Sequence, residues 1–165
     1  MADLTQSRVA HLFYYEALTG LLVWKRPTSN RILKGQVARR IHKGGYYMVS
    51  IDCKTYLVHR VVWLLHKGSF PNGVIDHINH DGFDNRLENL RDVTHQVNCS
   101  NCKLSINNTS GTTGVHRMRD KWQVKITVAR ECIYGGTYDT YEEASKVANG
   151  MRPNLGFHPN HGNSI

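Results

Sequence analysis

A polar stretch divides the chain and limits what the rest of it can fold into. Residues 103–113 are rich in Asn, Ser, Thr and Gly, a composition typical of a linker. The chain has 165 residues, which suffices for one ordinary domain or two small ones. Placing the linker at 104–113 predicts two small modules, at 1–103 and 114–151, followed by a tail at 152–165.

The chain is strongly basic, with a formal net charge of +8. A small protein with this excess of Lys and Arg usually binds a polyanion, and nucleic acid is the first expectation. The alternative is a surface charge that only keeps the protein in solution. We find no run of 18 apolar residues and no apolar segment near the N-terminus, so we expect no membrane span, no signal peptide and a cytoplasmic location.

The first module begins with short strands and one helix. Residues 20–25, 45–51 and 55–58 are rich in aromatic and β-branched residues, which predicts strands. Residues 58–67 carry apolar side chains at helical spacing and predict a helix that ends before Gly68. The apolar stripe consists of Val58, Val61, Val62 and Leu65.

Short apolar and polar segments alternate after this helix. An apolar run at 73–75 leads into Asp76 and His77, and a polar loop follows at 79–85. Residues 90–93 then predict a return strand, and residues 95–101 a short helix. The expected order is strand, loop, strand, helix.

The second module has a different pattern. Residues 122–128 alternate between apolar and polar, which predicts a half-buried strand. With strands near Val115 and at 132–136, and a helix that opens at Thr140 and runs toward Asn149, this makes a small α+β unit. The tail from Pro153 is expected to be loose.

The polar residues around Asp76 suit phosphodiester hydrolysis. That reaction needs a base to deprotonate water and a cation to stabilise charge on the phosphate and the leaving oxygen. A neutral imidazole such as His77 suits the first need. Carboxylate and amide oxygens such as those of Asp76 and Asn98 suit a hard divalent cation.

Residues 10–101 resemble the HNH nucleases of phages and mobile introns. The resemblance rests on the segments 74–79 and 85–91, on Thr94 and Asn98, and on a lead-in at 58–63 with Phe70 and Pro71. It implies a ββα-metal fold in which Asp76 and Asn98 bind metal. It further implies that His77 is the general base and that Asn89 holds the loop and orients the His77 ring.

The resemblance also implies a cofactor. The last histidine of the family name is replaced by Asn98, which favours Mg²⁺ or Mn²⁺ bound through oxygen over zinc. Cys99 and Cys102 form a CxxC pair, but a zinc site needs four ligands, and Cys53, Cys132 or a histidine would have to complete it. We favour buried or incidental thiols.

Residues 110–151 are similar to the AP2 DNA-binding domain, which lays a three-stranded sheet in the major groove. The similarity rests on the segments 110–115, 121–126 and 136–138 and on residues 142–144. His116 and Met118 stand where plant AP2 domains carry base-reading arginines. By alternation, Gln123, Lys125 and Thr127 face DNA.

Together with the basic charge, the two resemblances imply a homing-type, metal-dependent endonuclease that acts on double-stranded DNA, and by resemblance a phage or a mobile intron is the expected source. Two alternatives stay open: a DNA-binding regulator with an inactive nuclease core, and an RNA-binding or RNA-cleaving protein. The residues expected to contact DNA are Arg60, Arg86, Arg91, His116, Arg117, Arg119, Lys121, Gln123, Lys125 and Thr127. For Arg86 and Arg91, ion pairing with Glu88 or Asp92 is the alternative.

Overall fold

The computed structural model describes residues 3–162 and divides the chain into two compact units, Met1–His95 and Gln96–Ile165. The predicted nuclease module at 1–103 crosses this division, because the helix that carries Asn98 extends across it. Each unit is mixed α and β, and each has its own buried apolar cluster. Among residues 3–162, no helix combines the length and apolar character needed to cross a bilayer.

The first unit opens with a helix that the sequence patterns missed. Helix α1 (Gln6–Leu12) starts at Thr5, whose side chain accepts a hydrogen bond from the Arg8 backbone N–H at 3.2 Å. It leads into an antiparallel hairpin of β1 (Phe13–Glu16) and β2 (Leu21–Trp24). Seven residues are too few for the helical period to stand out against the strand that follows.

A second sheet follows, with strands in the order β3 (Arg40–His42), β4 (Tyr46–Ile51) and β5 (Lys54–Leu57), all antiparallel. Helix α2 (Val58–Lys67) begins directly after β5 and ends at Gly68, which adopts φ +80° and donates its N–H to Leu64 O. The predicted strands at 20–25, 45–51 and 55–58 and the helix at 58–67 are thereby confirmed within a residue or two. Val58, Val61 and Val62 are buried, as the stripe predicted.

The last hairpin of this unit carries the Asp76–His77 pair. Strand β6 (Val74–His77) pairs antiparallel with β7 (Leu90–Val93), with Asp76 opposite Arg91 and His77 opposite Leu90. A 3-10 turn, Leu87–Asn89, precedes β7, and helix α3 (His95–Cys99) follows it. The order strand, loop, strand, helix is confirmed, although α3 ends two residues earlier than predicted.

The second unit contains a three-stranded antiparallel sheet, in the order β8 (Val115–Met118), β9 (Lys121–Val128) and β10 (Glu131–Tyr138), and helix α4 (Tyr141–Asn154). Thr140 caps α4 by accepting the Glu143 N–H at 3.3 Å. Val124 and Ile126 are buried together with Ala144 and Ala148 of the helix. The predicted inner face of β9 is therefore confirmed.

Two expectations about this unit were wrong. Helix α4 continues beyond Asn149 to Asn154 and includes Pro153 in its last turn. The tail, expected to be loose, is tied down over its described part: His158 N–H donates to Ser100 O at 3.0 Å, and Gly162 N–H to Cys102 O at 2.8 Å. Hydrogen bonds between residues so distant in sequence leave no local pattern. Residues 163–165 of the predicted tail lie outside the described residues.

The four cysteines lie at the surface. Cys53, Cys99, Cys102 and Cys132 are all exposed, so of the two expectations, buried thiols or incidental thiols, the buried one is wrong. Cys53 lies at the β4–β5 turn with φ +63°, and Cys132 lies on an outer strand of the second sheet. Their exposure follows from these turn and edge positions.

The hairpin β1–β2 supports the loop that follows β6, through a close backbone approach at Gly20. Gly20 has φ +71°, and a Cβ built there would lie 2.4 Å from Arg86 N and 2.6 Å from Asn85 C. Neither contact can be relieved by a side-chain rotation, because both atoms belong to the backbone. Only glycine fits this position without moving the loop.

We predict that Gly20→Ala destabilises the first unit more than Gly35→Ala does. Gly35 has φ +85°, but a Cβ built there would have no atom of the described residues within 4 Å, so that substitution isolates the conformational cost, about 1–2 kcal/mol. Gly20→Ala adds the backbone clash, and overpacking costs a further ~1–3 kcal/mol. Urea unfolding of both variants measures the difference. Equal midpoints would contradict the close approach.

Candidate functional site

Strand β6 ends by burying two polar side chains. Asp76 and His77 are only 5% and 6% exposed. They are neighbours on a strand, so their side chains leave it on opposite faces. Buried polar groups need partners, and the partners of these two show what the site can do.

The His77 imidazole contacts Asn85, a residue that the sequence analysis did not single out. Nε2 of His77 lies 3.4 Å from Oδ1 of Asn85, and Asn85 is 1% exposed. Nδ2 of Asn85 donates to Phe83 O at 3.2 Å, which turns Oδ1 toward the ring. An amide oxygen only accepts, so Nε2 of His77 carries the proton and Nδ1 has the lone pair. The signal for Asn85 was present in the sequence, because Asn85 opens the segment 85–91 that carries the HNH resemblance.

Three rings meet around this contact. The His59 ring, from the first turn of α2, lies 5.0 Å from the His77 ring in an edge-to-face arrangement. The Tyr46 ring lies 5.3 Å from His59 and 5.7 Å from His77. His77 thus sits in an aromatic pocket formed by two other elements of the same unit.

Burial sets the protonation of both histidines. Burial, together with the smaller effects of the neighbouring His77 and Arg60, lowers the pKa of His59 from 6.5 to about 3. Burial also lowers the pKa of His77, against the opposing effect of the Asn85 hydrogen bond and of Asp76, Asp81 and Asp84. His77 is therefore neutral at pH 7, as an acceptor of a proton must be.

Asn89 holds the loop between the two strands. Its Oδ1 accepts the Asn79 N–H at 2.9 Å, and its Nδ2 donates to Asn79 Oδ1 and to Asp84 O, each at 2.9 Å. One buried side chain thereby ties the start of the loop to its end. Its expected second role, orienting the His77 ring, stays a prediction, since the ring contact described above is made by Asn85.

The carboxylate of Asp76 is paired with Arg91, its cross-strand neighbour. Nε of Arg91 donates to Oδ2 of Asp76 at 2.8 Å, and Nη2 lies 2.6 Å from the same oxygen. Arg91 was expected to contact the DNA backbone or to pair with Glu88 or Asp92. Asp92 instead accepts the backbone N–H groups of Asn72 and Gly73.

Arg86 is also engaged within the protein. It binds Asp84 through Nε and Nη2 at 2.9 and 2.7 Å, and Glu88 through Nη1 at 3.0 Å. The Arg86 guanidinium holds the pKa of Asp84 below its usual value. The ion-pairing alternative describes Arg86 better than a DNA contact does. Arg60, the third predicted DNA contact of this unit, lies over the Phe70 ring at 5.7 Å.

Asn98, the second expected metal ligand, lies on α3 in the part of the chain assigned to the second unit. It is half-buried, and its backbone carbonyl lies 3.8 Å from Sγ of Cys102. Within residues 3–162, no three His, Cys, Asp or Glu side chains come together as a metal site. The expected ligands, the Asp76 carboxylate and the Asn98 amide, are only two and include an amide, so they are not a cluster of this kind. That they bind one cation together stays a prediction.

The predicted DNA-contacting residues of the second unit lie on β8, on β9 and in the turn between them. Gln123, Lys125 and Thr127 alternate with the buried residues of β9, and His116 pairs with Gln123 across the sheet. Lys121 forms an exposed ion pair with Asp139 at 2.9 Å. Arg119 occupies the turn with φ +57°. Arg117 departs from this face, since its guanidinium lies over the Trp122 ring at 5.7 Å.

Comparison with known proteins gives a family match for the segment that contains Asp76 and His77. The family model described as HNH endonuclease matches residues 56–99, a little over a quarter of the chain. The matched segment contains Asp76, His77, Asn85, Asn89 and Asn98. No curated protein and no solved structure matches the chain. The chain thus contains an HNH endonuclease domain, which indicates nuclease activity on DNA.

We predict that the buried, neutral His59 makes the protein sensitive to acid. Unfolding returns the pKa of His59 from about 3 to 6.5, so the unfolded state binds a proton that the folded state does not. Stability is therefore lost as the pH falls below 6.5, by about 2 kcal/mol between pH 7 and pH 5.

Urea unfolding of wild type and His59→Phe at the two pH values measures this. The variant keeps His77 and every other titrating group, so the difference isolates His59. The loss on acidification should be smaller in His59→Phe. The same loss in both proteins would contradict the buried, neutral state of His59.

Proposed function

We propose that this protein is a metal-dependent DNA endonuclease that hydrolyses phosphodiester bonds at a recognised DNA site, as homing enzymes do. The observation that carries the proposal is the buried His77, whose Nε2 proton is fixed by Asn85 inside a segment that matches HNH endonucleases. A lone buried histidine is common in protein cores. A defined tautomer, a lowered pKa and an adjacent ion-paired carboxylate support a role of His77 in proton transfer.

In this proposal His77 is the general base. With Nε2–H directed at Asn85, the lone pair lies on Nδ1, which is the nitrogen that takes a proton from water. The Asn85 hydrogen bond would also favour the imidazolium that forms, because a cationic donor makes a stronger bond than a neutral one. Asn89 contributes by fixing the loop from which Asn85 projects.

Asp76 and Asn98 would hold the divalent cation. The fit is chemical: Asp76 is a buried carboxylate, and the Asn98 side chain offers an amide oxygen, both hard donors that suit Mg²⁺ or Mn²⁺. When bound, such a cation supplies Lewis-acid stabilisation of the phosphate and of the leaving oxygen. The Arg91 guanidinium, which forms an ion pair with Asp76, would lie beside this cation site.

The second unit would supply DNA recognition in the manner of an AP2 domain. Its sheet turns a polar, partly basic face away from α4, and His116, Gln123, Lys125 and Thr127 share that face by alternation and register. Lys121 and Arg119 at the strand ends would contact phosphates. Arg117 is left out of the base-reading set, because it stacks on Trp122.

His77→Ala should abolish nicking of supercoiled plasmid while leaving DNA affinity close to that of the wild type. The base acts only in the chemical step, and losing it typically costs ~10²–10⁴-fold in rate. A plasmid-relaxation assay with Mg²⁺ and a gel-shift assay on the same DNA measure the two quantities. His11→Ala, which changes an exposed histidine of α1, is the matched control and should nick normally.

Full nicking by His77→Ala would refute this role. A wild-type protein that binds DNA tightly and never nicks it would instead favour the alternative of a DNA-binding regulator with an inactive core.

The outer face of the second sheet gives a separate prediction. Replacing Gln123, Lys125 and Thr127 together by alanine should lower the preference for the recognised site, because contacts to base edges specify while phosphate contacts mainly position. The residual binding should be nonspecific and strongly dependent on salt. Lys146→Ala, which removes an exposed positive charge from α4 on the other side of the sheet, is the control and should keep site preference. A triple variant that selects its site as well as the wild type would place recognition elsewhere.

A further inference from the structure

His59 is a buried titratable side chain that the proposed chemistry does not use. It lies in the first turn of α2, is 5% exposed, and directs its ring edge-to-face at His77. A buried histidine at this position is not hydrated, and its pKa of about 3 keeps it uncharged. Its contribution is therefore that of a neutral aromatic ring in contact with the base.

Tyr46 completes the contact from another element. Its ring lies against both His59 and His77, at 5.3 and 5.7 Å, so each of the three rings contacts the other two. Tyr46 begins strand β4, whereas His77 ends strand β6. Three separate elements thus meet at the His77 ring.

The loop after β6 presses on this group from outside. A Cβ built on Gly82 would lie 2.3 Å from Gly45 O and 2.7 Å from the Tyr46 ring, so the loop backbone lies directly against Tyr46. The same loop carries Asn85, which binds Nε2 of His77. The ring of His77 is therefore fixed at one nitrogen by a hydrogen bond and at its faces by packing.

We propose that Tyr46 and His59 are positioning residues that hold the His77 imidazole in the orientation that points Nε2 at Asn85. A hydrogen bond of 3.4 Å is long, and by itself it fixes the rotation of a ring weakly. Aromatic contacts of this kind add directional packing. This inference rests on the proposed function, since it treats His77 as the base.

The test uses the full chain with His59→Ala, His59→Phe and Val62→Ala. Val62 is fully buried in the same helix, so its truncation matches the loss of packing in α2 and leaves the His77 ring contacts in place. We expect His59→Ala to lower kcat for nicking by roughly 10²-fold with an unchanged KM for DNA, since small misplacements of a reacting group cost about this much. His59→Phe should recover most of the rate, and Val62→Ala should keep it at temperatures where all variants are folded.

A second readout is independent of activity. Nitrogen-15 chemical shifts of the His77 ring should show one tautomer, protonated at Nε2, in the wild type and in His59→Phe, and a mixture in His59→Ala. Tyr46→Leu should show the same mixture of tautomers. Because Tyr46 is only half-buried, this variant replaces His59→Ala in the measurement if His59→Ala does not fold.

The proposal is overturned if His59→Ala nicks at the wild-type rate, if Val62→Ala loses as much activity as His59→Ala, or if the single tautomer persists without His59 and Tyr46. The ring shifts decide the matter even if the wild-type protein leaves DNA intact, a result that would count against the proposed function alone.

Discussion

The short loop between β6 and β7 depends on the hydrogen bonds of two buried asparagines. Asn89 joins the two ends of the loop, and Asn85 contacts His77. A buried amide without partners is costly, and in this loop conformation both amides have hydrogen-bond partners. Tyr15 of the first hairpin fixes the same loop from outside, since its hydroxyl donates to Asn85 O and accepts from Leu87 N–H. These contacts fix the position of the Asn85 side chain that meets Nε2 of His77.

Local patterns in the sequence predicted the elements but not these supports. The stripe on α2, the β6–β7 pair and the alternation in β9 each reflect a period that shows which side chains are buried. Asn85, His59, Tyr46 and Tyr15 act through contacts between residues distant in sequence, which leave no period. The pairing of Arg86 with Glu88 was among the alternatives. Its pairing with Asp84, and that of Arg91 with Asp76, were missed for a related reason: each of these arginines had several carboxylates within reach in the sequence, and only the fold selects among them.

The two units differ in the features that they carry. The first carries the buried histidine and the ion-paired Asp76, and the segment matching HNH endonucleases ends in α3. The second carries a sheet whose inner face is committed to its own core, which leaves the outer face for contacts with another molecule. In the proposed function, the basic charge of the chain would account for affinity to DNA in general, and the polar face of the second sheet would supply the geometry that selection of a sequence requires.

The most direct test of the central claim is the conversion of supercoiled plasmid to nicked circles by the purified wild-type protein, with Mg²⁺ alone and with Mg²⁺ plus excess EDTA. Asp76→Asn measured beside it removes the charge of the expected metal ligand at nearly constant shape. A metal-dependent endonuclease nicks with Mg²⁺ and not with EDTA, and the variant should show a strongly reduced rate or a raised Mg²⁺ requirement. Cleavage that persists in EDTA, or a variant as active as the wild type at every Mg²⁺ concentration, would contradict metal-dependent cleavage through Asp76.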